Sequence, residues 1–351
     1  MNKGKLNFTF IKDKNFTMLL HNFTFCVTKT SLKARIGGRY HRFACEIYGI
    51  FVPQNLIKLV IGDIMKLSTT TGRFYTKFGF LKAIDYLADA GYDALDFSQF
   101  NKDVYEVDYP KEYFLEIRKY AEDKGLCFNQ SHAPYGSSFE DEEKTAKRFE
   151  EIVTAIKRAS YLGVKNIIVH PCQHLKYDVE GNPEKLFEYN MEFYKKLIPY
   201  CEEYNIKVAL ENMWQHTGMI NHSTCSRPEE FVRYIDELNN DCFVACLDIG
   251  HAALVKEDIG EFIKKLGNKR LQCLHVHDVD GVNDSHTLPY FGVINWEKVM
   301  KALAEIDYKG DLTFEADYFM NDKPDVLLPA CANLMAKTGK HLIFRFETYK
   351  Y

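Results

Sequence analysis

From Met65 onward, short apolar runs and amphipathic stretches alternate along the chain almost without interruption. The runs YDALDF, LCFNQSHAP, VKNIIVHP, KVALEN, CFVACLDIG, LQCLHVHD and DLTFEAD are apolar without a strict two-residue alternation. That pattern marks strands buried on both faces, as in a parallel sheet. MKLSTTTG, beginning at Met65, supplies a first strand. Between the runs, apolar residues recur at helical spacing, as in Phe80, Ile84, Leu87 and Ala88, closed by Gly91, or Phe149, Ile152, Ile156 and Ala159, closed by Gly163. Further helices are predicted over 110–124, 183–204, from Pro228, over 257–267, from Trp296 and over 324–339. Eight strands interleaved with eight helices over about 275 residues predict an α/β fold of the (β/α)8 TIM-barrel type. A doubly wound sheet is the alternative.

The chain ends up in three parts: a single barrel domain over 65–340, a C-terminal tail over 341–351 and an N-terminal extension over 1–64. The extension mixes Phe, Asn, Thr and Lys without a sustained period. It reads as a flexible or disordered segment, a small add-on, or the product of a start site placed too far upstream, with Met65 as the initiator. The last reading is favoured, because the first strand begins directly at that methionine.

Polar residues interrupt the apolar runs at a regular place. His132, His170, Glu211, Asp248, His275 and Glu315 each close a run, at steps of 38, 41, 37, 27 and 40 residues. In a barrel the C-terminal strand ends converge on one mouth, where active sites sit. His251, Asp284 and His286 join them to give nine side chains of imidazole and carboxylate type. Singly, each has a plain structural reading: a hydrogen-bonded histidine, an ion-paired Glu211, or Asp248 and His251 capping the helix that follows. Together they would crowd several charges at one mouth, which is costly without a cation. The donor set suits Mn²⁺, Mg²⁺, Co²⁺ or Zn²⁺.

Composition narrows the partners. Residues 1–64 hold 10 Lys/Arg against 3 Asp/Glu, and the remainder holds 35 against 46. An acidic body makes a nucleic-acid partner unlikely, since such partners need a basic face. The 10 cysteines form no CxxC pair or tight framework, so reduced thiols in a cytoplasmic protein are expected. No run of about 18 apolar residues occurs, so no membrane-spanning helix is predicted.

The motifs SHAPYG, IIVHP, LEN, LDIGH, HVHD, DSHTLPYFGVINW and FEAD together resemble the xylose isomerase-like TIM-barrel superfamily of sugar phosphate isomerases and epimerases, which also contains endonuclease IV. The resemblance covers 65–340. It implies one divalent metal ion held by Glu211, Asp248, His275 and Glu315. It further implies that Glu211 and Glu315 act catalytically, moving a proton on and off the carbon beside a carbonyl while the metal chelates the substrate oxygens and stabilises an enediolate. His132, His170, His251, Asp284 and His286 are then substrate-binding residues or additional metal ligands. His277 contacts substrate or supports the ligands. Trp214 stacks on a sugar ring or packs its own loop.

Two departures bear on the substrate. Ketose 3-epimerases of the superfamily carry a Glu where Thr217 stands and an Arg where Gly281 stands, which puts a free-ketose 3-epimerase in doubt. The expected activity is therefore a metal-dependent isomerase or epimerase of a sugar or sugar phosphate, with a small polyol as partner and a homo-oligomer as possible assembly. The alternatives are an endonuclease IV-like phosphodiesterase at abasic DNA sites, holding up to three Zn²⁺ on all nine residues, an inosose-type dehydratase, and a non-enzymatic carbohydrate sensor.

Overall fold

In the computed structural model, residues 15–20, 23–28, 65–216 and 222–350 are described. The chain divides into two units, 1–64 and 65–351. In the first, Asn15–Leu20 and Phe23–Thr28 pair as an antiparallel hairpin.

The second unit is the barrel. Its strands are β1 (Leu67–Thr70), β2 (Ala94–Ser98), β3 (Cys127–His132), β4 (Asn166–Ile168), β5 (Lys207–Glu211), β6 (Phe243–Asp248), β7 (Leu271–His275) and β8 (Leu312–Phe314). From β1 to β7 each pairs in parallel with the next, and β8 pairs with β1. The seam between β7 and β8 is closed by Val276, whose N–H donates to Thr313 O at 2.9 Å and whose carbonyl accepts from Glu315 N–H at 3.2 Å.

The helices follow the periodicity, as in Phe80–Ala90, Lys111–Asp123, Glu142–Tyr161, Asn182–Tyr204, Pro228–Leu238, Ile259–Arg270 and Trp296–Glu305. Side chains set several starts: Asp141, Asp258 and Asn295 each accept a hydrogen bond from a first-turn N–H. The helix expected over 324–339 is instead Leu328–Lys350. The residues set apart as a tail continue it, with Leu342 and Phe346 buried. An apolar stripe that keeps helical spacing past 340 is the physical reason.

The main core lies between strands and helices, where Phe97, Phe114, Phe231, Phe262, Phe314, Tyr194 and Trp296 are fully buried. A separate cluster of Ile168, Ala209, Val244, Cys246 and Cys273 fills the barrel interior. Four of these stand two residues before His170, Glu211, Asp248 and His275, on the same strand face. They form an apolar floor one layer beneath the polar mouth.

Candidate metal centre at the barrel mouth

The strand ends place the ligands side by side. Asp248 and His275 are paired across β6 and β7, and Ser98 and His132 across β2 and β3. Glu211, Asp248, His275 and Glu315 each offer a ligand atom within 4.8 Å of one another. His275 Nδ1 lies 3.2 Å from Glu211 Oε2, 3.1 Å from Glu315 Oε2 and 3.9 Å from Asp248 Oδ2. Three further groups lie as close together: His132, His170 and Glu211; His251, His277, Asp284 and His286; and Asp96, His132 and His275. All nine residues read from the sequence fall within these groups, and Glu211, His132 and His275 each belong to two.

The groups interlock. His170 Nε2 is 3.2 Å and His251 Nδ1 3.4 Å from the Glu211 carboxylate. His132 Nε2 lies 3.5 Å from Glu315 Oε1. Asp284 Oδ2 meets His251 Nε2 at 3.3 Å and His286 Nε2 at 3.0 Å. His286 Nδ1 donates to the carbonyl of Glu315 at 2.7 Å and sits at φ 36°, a left-handed conformation uncommon for a residue with a side chain.

Several buried donor and acceptor atoms have no hydrogen-bond partner in the protein: both ring nitrogens of His275, Nε2 of His132, Nδ1 of His170, Oε2 of Glu211 and Oδ1 of Asp284. Buried polar atoms are nearly always paired. The contacts of His275 with the two glutamates are close but not aligned as hydrogen bonds. Unpartnered imidazole nitrogens and carboxylate oxygens facing one another are a donor set that fits a divalent cation.

The electrostatics agree. Burial alone would raise the carboxyl of Glu211, but His275 and His170 overcome it and hold it well below the usual range. Glu315 is likewise lowered by His275 and His132 against its burial, and Asp284 by His251 and His286. In return, carboxylates draw His132 and His251 upward against burial and His286 to about 9, and the Cys246 sulfur together with Glu315 and Glu211 draws His275 upward. The imidazoles are pulled toward protonation because the mouth carries more negative than positive charge, a demand that a cation would also meet.

Supporting residues went unread in the sequence. Asn212 clamps the backbone of Asp248: its Nδ2 donates to Asp248 O at 2.9 Å and its Oδ1 accepts from Asp248 N–H at 2.7 Å. Asp96, fully buried on β2, accepts from His132 Nδ1 at 2.9 Å. It is one of two aspartates in the run YDALDF, and nothing in the sequence sets it apart from Asp93. Asp278 is a loop anchor, accepting from the N–H groups of Val279, Tyr290 and Ile294 and from Trp296 Nε1 at 2.8 Å. It fixes the loop that carries Asp284 and His286.

His277 Nε2 lies 2.9 Å and 3.0 Å from the two oxygens of Asp248 and its ring stacks on His286 at 4.0 Å. A Cβ at Gly250 would come within 2.0 Å of this ring, so the glycine of LDIGH makes room for it. Trp214 Nε1 donates to Asp284 Oδ2 at 3.2 Å. Its indole is half-buried against the core. Phe100, Tyr135 and Tyr318 stand within 5.0 Å, centroid to centroid, of His132, His170 and His286 respectively, walling the mouth with rings. The Thr217 position lies outside the described residues. Gly281, whose carbonyl accepts from Lys256 Nζ at 3.0 Å, offers no side chain in place of an arginine.

The class defined here is that of parallel α/β barrels whose mouth gathers carboxylate and imidazole groups able to hold a cation. The chain belongs to the xylose isomerase-like TIM-barrel family, whose family model matches residues 84–329. Among relatives, it is 24% identical to the D-psicose 3-epimerase of Enterocloster bolteae over 67% of this chain and 75% of that protein. It is also 24% identical to the probable endonuclease 4 of Acholeplasma laidlawii over 60% of this chain and 74% of that one. A solved D-tagatose 3-epimerase-like protein superposes at TM-score 0.63 with 21% identity, covering 81% of this chain and 98% of that one. IolI, solved with a bound zinc atom, gives 0.64 with 19% identity over 81% and 99%. These superpositions show the shared fold. The eight cysteines between residues 65 and 350 are all free thiols, and no described helix is long and apolar enough to cross a membrane.

Proposed function

We propose that this protein is a divalent-cation-dependent isomerase or epimerase of a sugar or sugar phosphate. The observation that carries the reading is the placement of two carboxylates, Glu211 from β5 and Glu315 following β8, about one cluster of unpartnered imidazole nitrogens. The likeness to the psicose epimerase supports it.

Glu211, Asp248, His275 and Glu315 would hold the ion. When bound, the cation would polarise a substrate carbonyl and its neighbouring hydroxyl, acidifying the carbon between them. Glu211 and Glu315 both face His275, and each is held ionised in the free protein, so either can serve as base. The ionised one takes the proton from that carbon. In epimerisation the other enters the step protonated and gives its own proton to the opposite face; in isomerisation the base hands its proton to the adjacent carbon while the hydroxyl proton passes to the former carbonyl oxygen. Exchange with solvent then restores both carboxyls. The ring walls exclude water and offer flat apolar faces to C–H groups of a sugar. Asp284, His286 and His251 lie within reach of the remaining hydroxyls. The free thiols fit a reducing, cytoplasmic setting.

One observation favours a second reading. The nine residues are spread over several overlapping groups of close ligand atoms, more than a single cation needs, and the endonuclease relative is consistent with it. The acidic barrel argues against a DNA partner. A panel of ketoses, aldoses, their phosphates, inososes and abasic-site DNA, each with Mn²⁺, Mg²⁺ or Zn²⁺, separates the readings. Turnover of a sugar is expected. Cleavage of DNA alone would replace the first reading with the second, and loss of water from an inosose would make the protein a dehydratase.

A further inference from the structure

We propose that Asp96 is a positioning residue that fixes His132 with its proton on Nδ1 and its Nε2 lone pair facing the mouth. Asp96 is fully buried at the centre of β2, and no ligand position was expected there. Its distance to His132 and His275 would admit it as a cation ligand itself. Its oxygens are already committed, however: Oδ1 accepts from His132 Nδ1 at 2.9 Å and Oδ2 from Gln130 Nε2 at 2.8 Å. Gln130 and His132 stand two apart on β3, on one face of the strand, so a single carboxylate bridges both.

The consequence lies on the other side of the imidazole. A carboxylate can only accept, so Nδ1 is the donor, and in the neutral imidazole that cation binding requires Nε2 is left as the acceptor. That Nε2 is buried and without a hydrogen-bond partner, 3.5 Å from Glu315 Oε1. The ring is held flat against His275, at 4.5 Å between centroids and 20° between planes. Carboxylate, imidazole and open nitrogen form the arrangement that orients a histidine ligand and strengthens its donor atom. Asp96 thus acts through His132 on the group shared with His170 and Glu211, and touches neither cation nor substrate.

The role in turnover rests on the isomerase reading, whereas the role in cation binding does not. The test is therefore titration of the metal-free protein with Zn²⁺ alone, comparing wild type, Asp96→Asn, His132→Gln and the double variant. Asp96→Asn is expected to weaken the Zn²⁺ affinity of the His132 group by about 10–100-fold, as loss of such a partner commonly does. It is expected to add no further loss in the His132→Gln background. An affinity within twofold of wild type, or an equal loss in both backgrounds, would overturn the proposal. Should Asp96→Asn not fold, ¹⁵N-histidine spectra of the Zn²⁺-loaded wild type decide, with His132 assigned by its absence in His132→Gln. A proton on Nδ1 is expected, and one on Nε2 would overturn the assignment. Failure of every sugar to turn over would remove the isomerase reading and leave this result standing.

Discussion

Glu315→Gln keeps the size of the side chain and removes the carboxylate that faces His275 and His132. Turnover is expected to fall by about 10²–10⁴-fold, the usual contribution of general acid–base catalysis, with the thermal midpoint little changed. Away from the mouth, burial pushes Glu230 up to about 7, although Tyr177 O–H donates to it at 2.9 Å. Because its folded pKa lies above the unfolded value near 4.3, its contribution to stability is complete below about pH 4 and is lost as the pH rises through about 7. Relative to Glu230→Gln, the wild type should lose on the order of 3 kcal/mol across that window, read by denaturant unfolding at stepped pH. Six of the nine mouth residues were legible because each closes an apolar run, where a polar side chain needs a reason; His251, Asp284 and His286 were read from the motifs beside them. Asp96 and Asn212 were not, because their work is done across neighbouring strands whose register one sequence does not reveal. His277 touches Asp248, the supporting one of its two expected roles.

Strands and long helices were legible because each spans several periods of its pattern. The short helices Gly72–Phe78 and Ile249–Leu254 were not, since one or two turns leave no periodicity to detect. The second of these begins at Asp248, whose Oδ1 accepts from His251 N–H at 2.6 Å. The plain capping reading therefore holds for Asp248, and the proposed ligand role is compatible with it, since Oδ2 still faces His275. The loop from Val279 to Asn295 has little regular structure and depends on Asp278. A Cβ at Gly292 would meet that carboxylate within 2.3 Å, so chain and side chain are closely fitted. Asp278→Ala strands four donors, each costing about 1–3 kcal/mol when buried unpaired. It should lower the thermal midpoint and speed hydrogen exchange of the loop amides. Zn²⁺ binding at Asp284 and His286 should weaken with it, which a titration would detect.

Residues 65–351 form their own compact unit with one continuous core and a barrel closed at the β7–β8 seam. A chain beginning at Met65 is expected to fold with a single cooperative transition and to bind cations as the full chain does. Circular dichroism and Zn²⁺ titration of that shorter chain check this. The excess of acidic over basic residues in this unit, 46 against 35, belongs with a small neutral or chelating substrate more than with a polyanion. The central claim is proton transfer between two glutamates at a cation-loaded mouth. It is tested most directly by incubating the Mn²⁺-loaded protein with its sugar substrate in D₂O and following deuterium at the carbon beside the carbonyl. Deuterium should appear in wild type and fail to appear in Glu211→Gln or Glu315→Gln. Product formed with no exchange in the wild type, or exchange undiminished in both variants, would contradict the account.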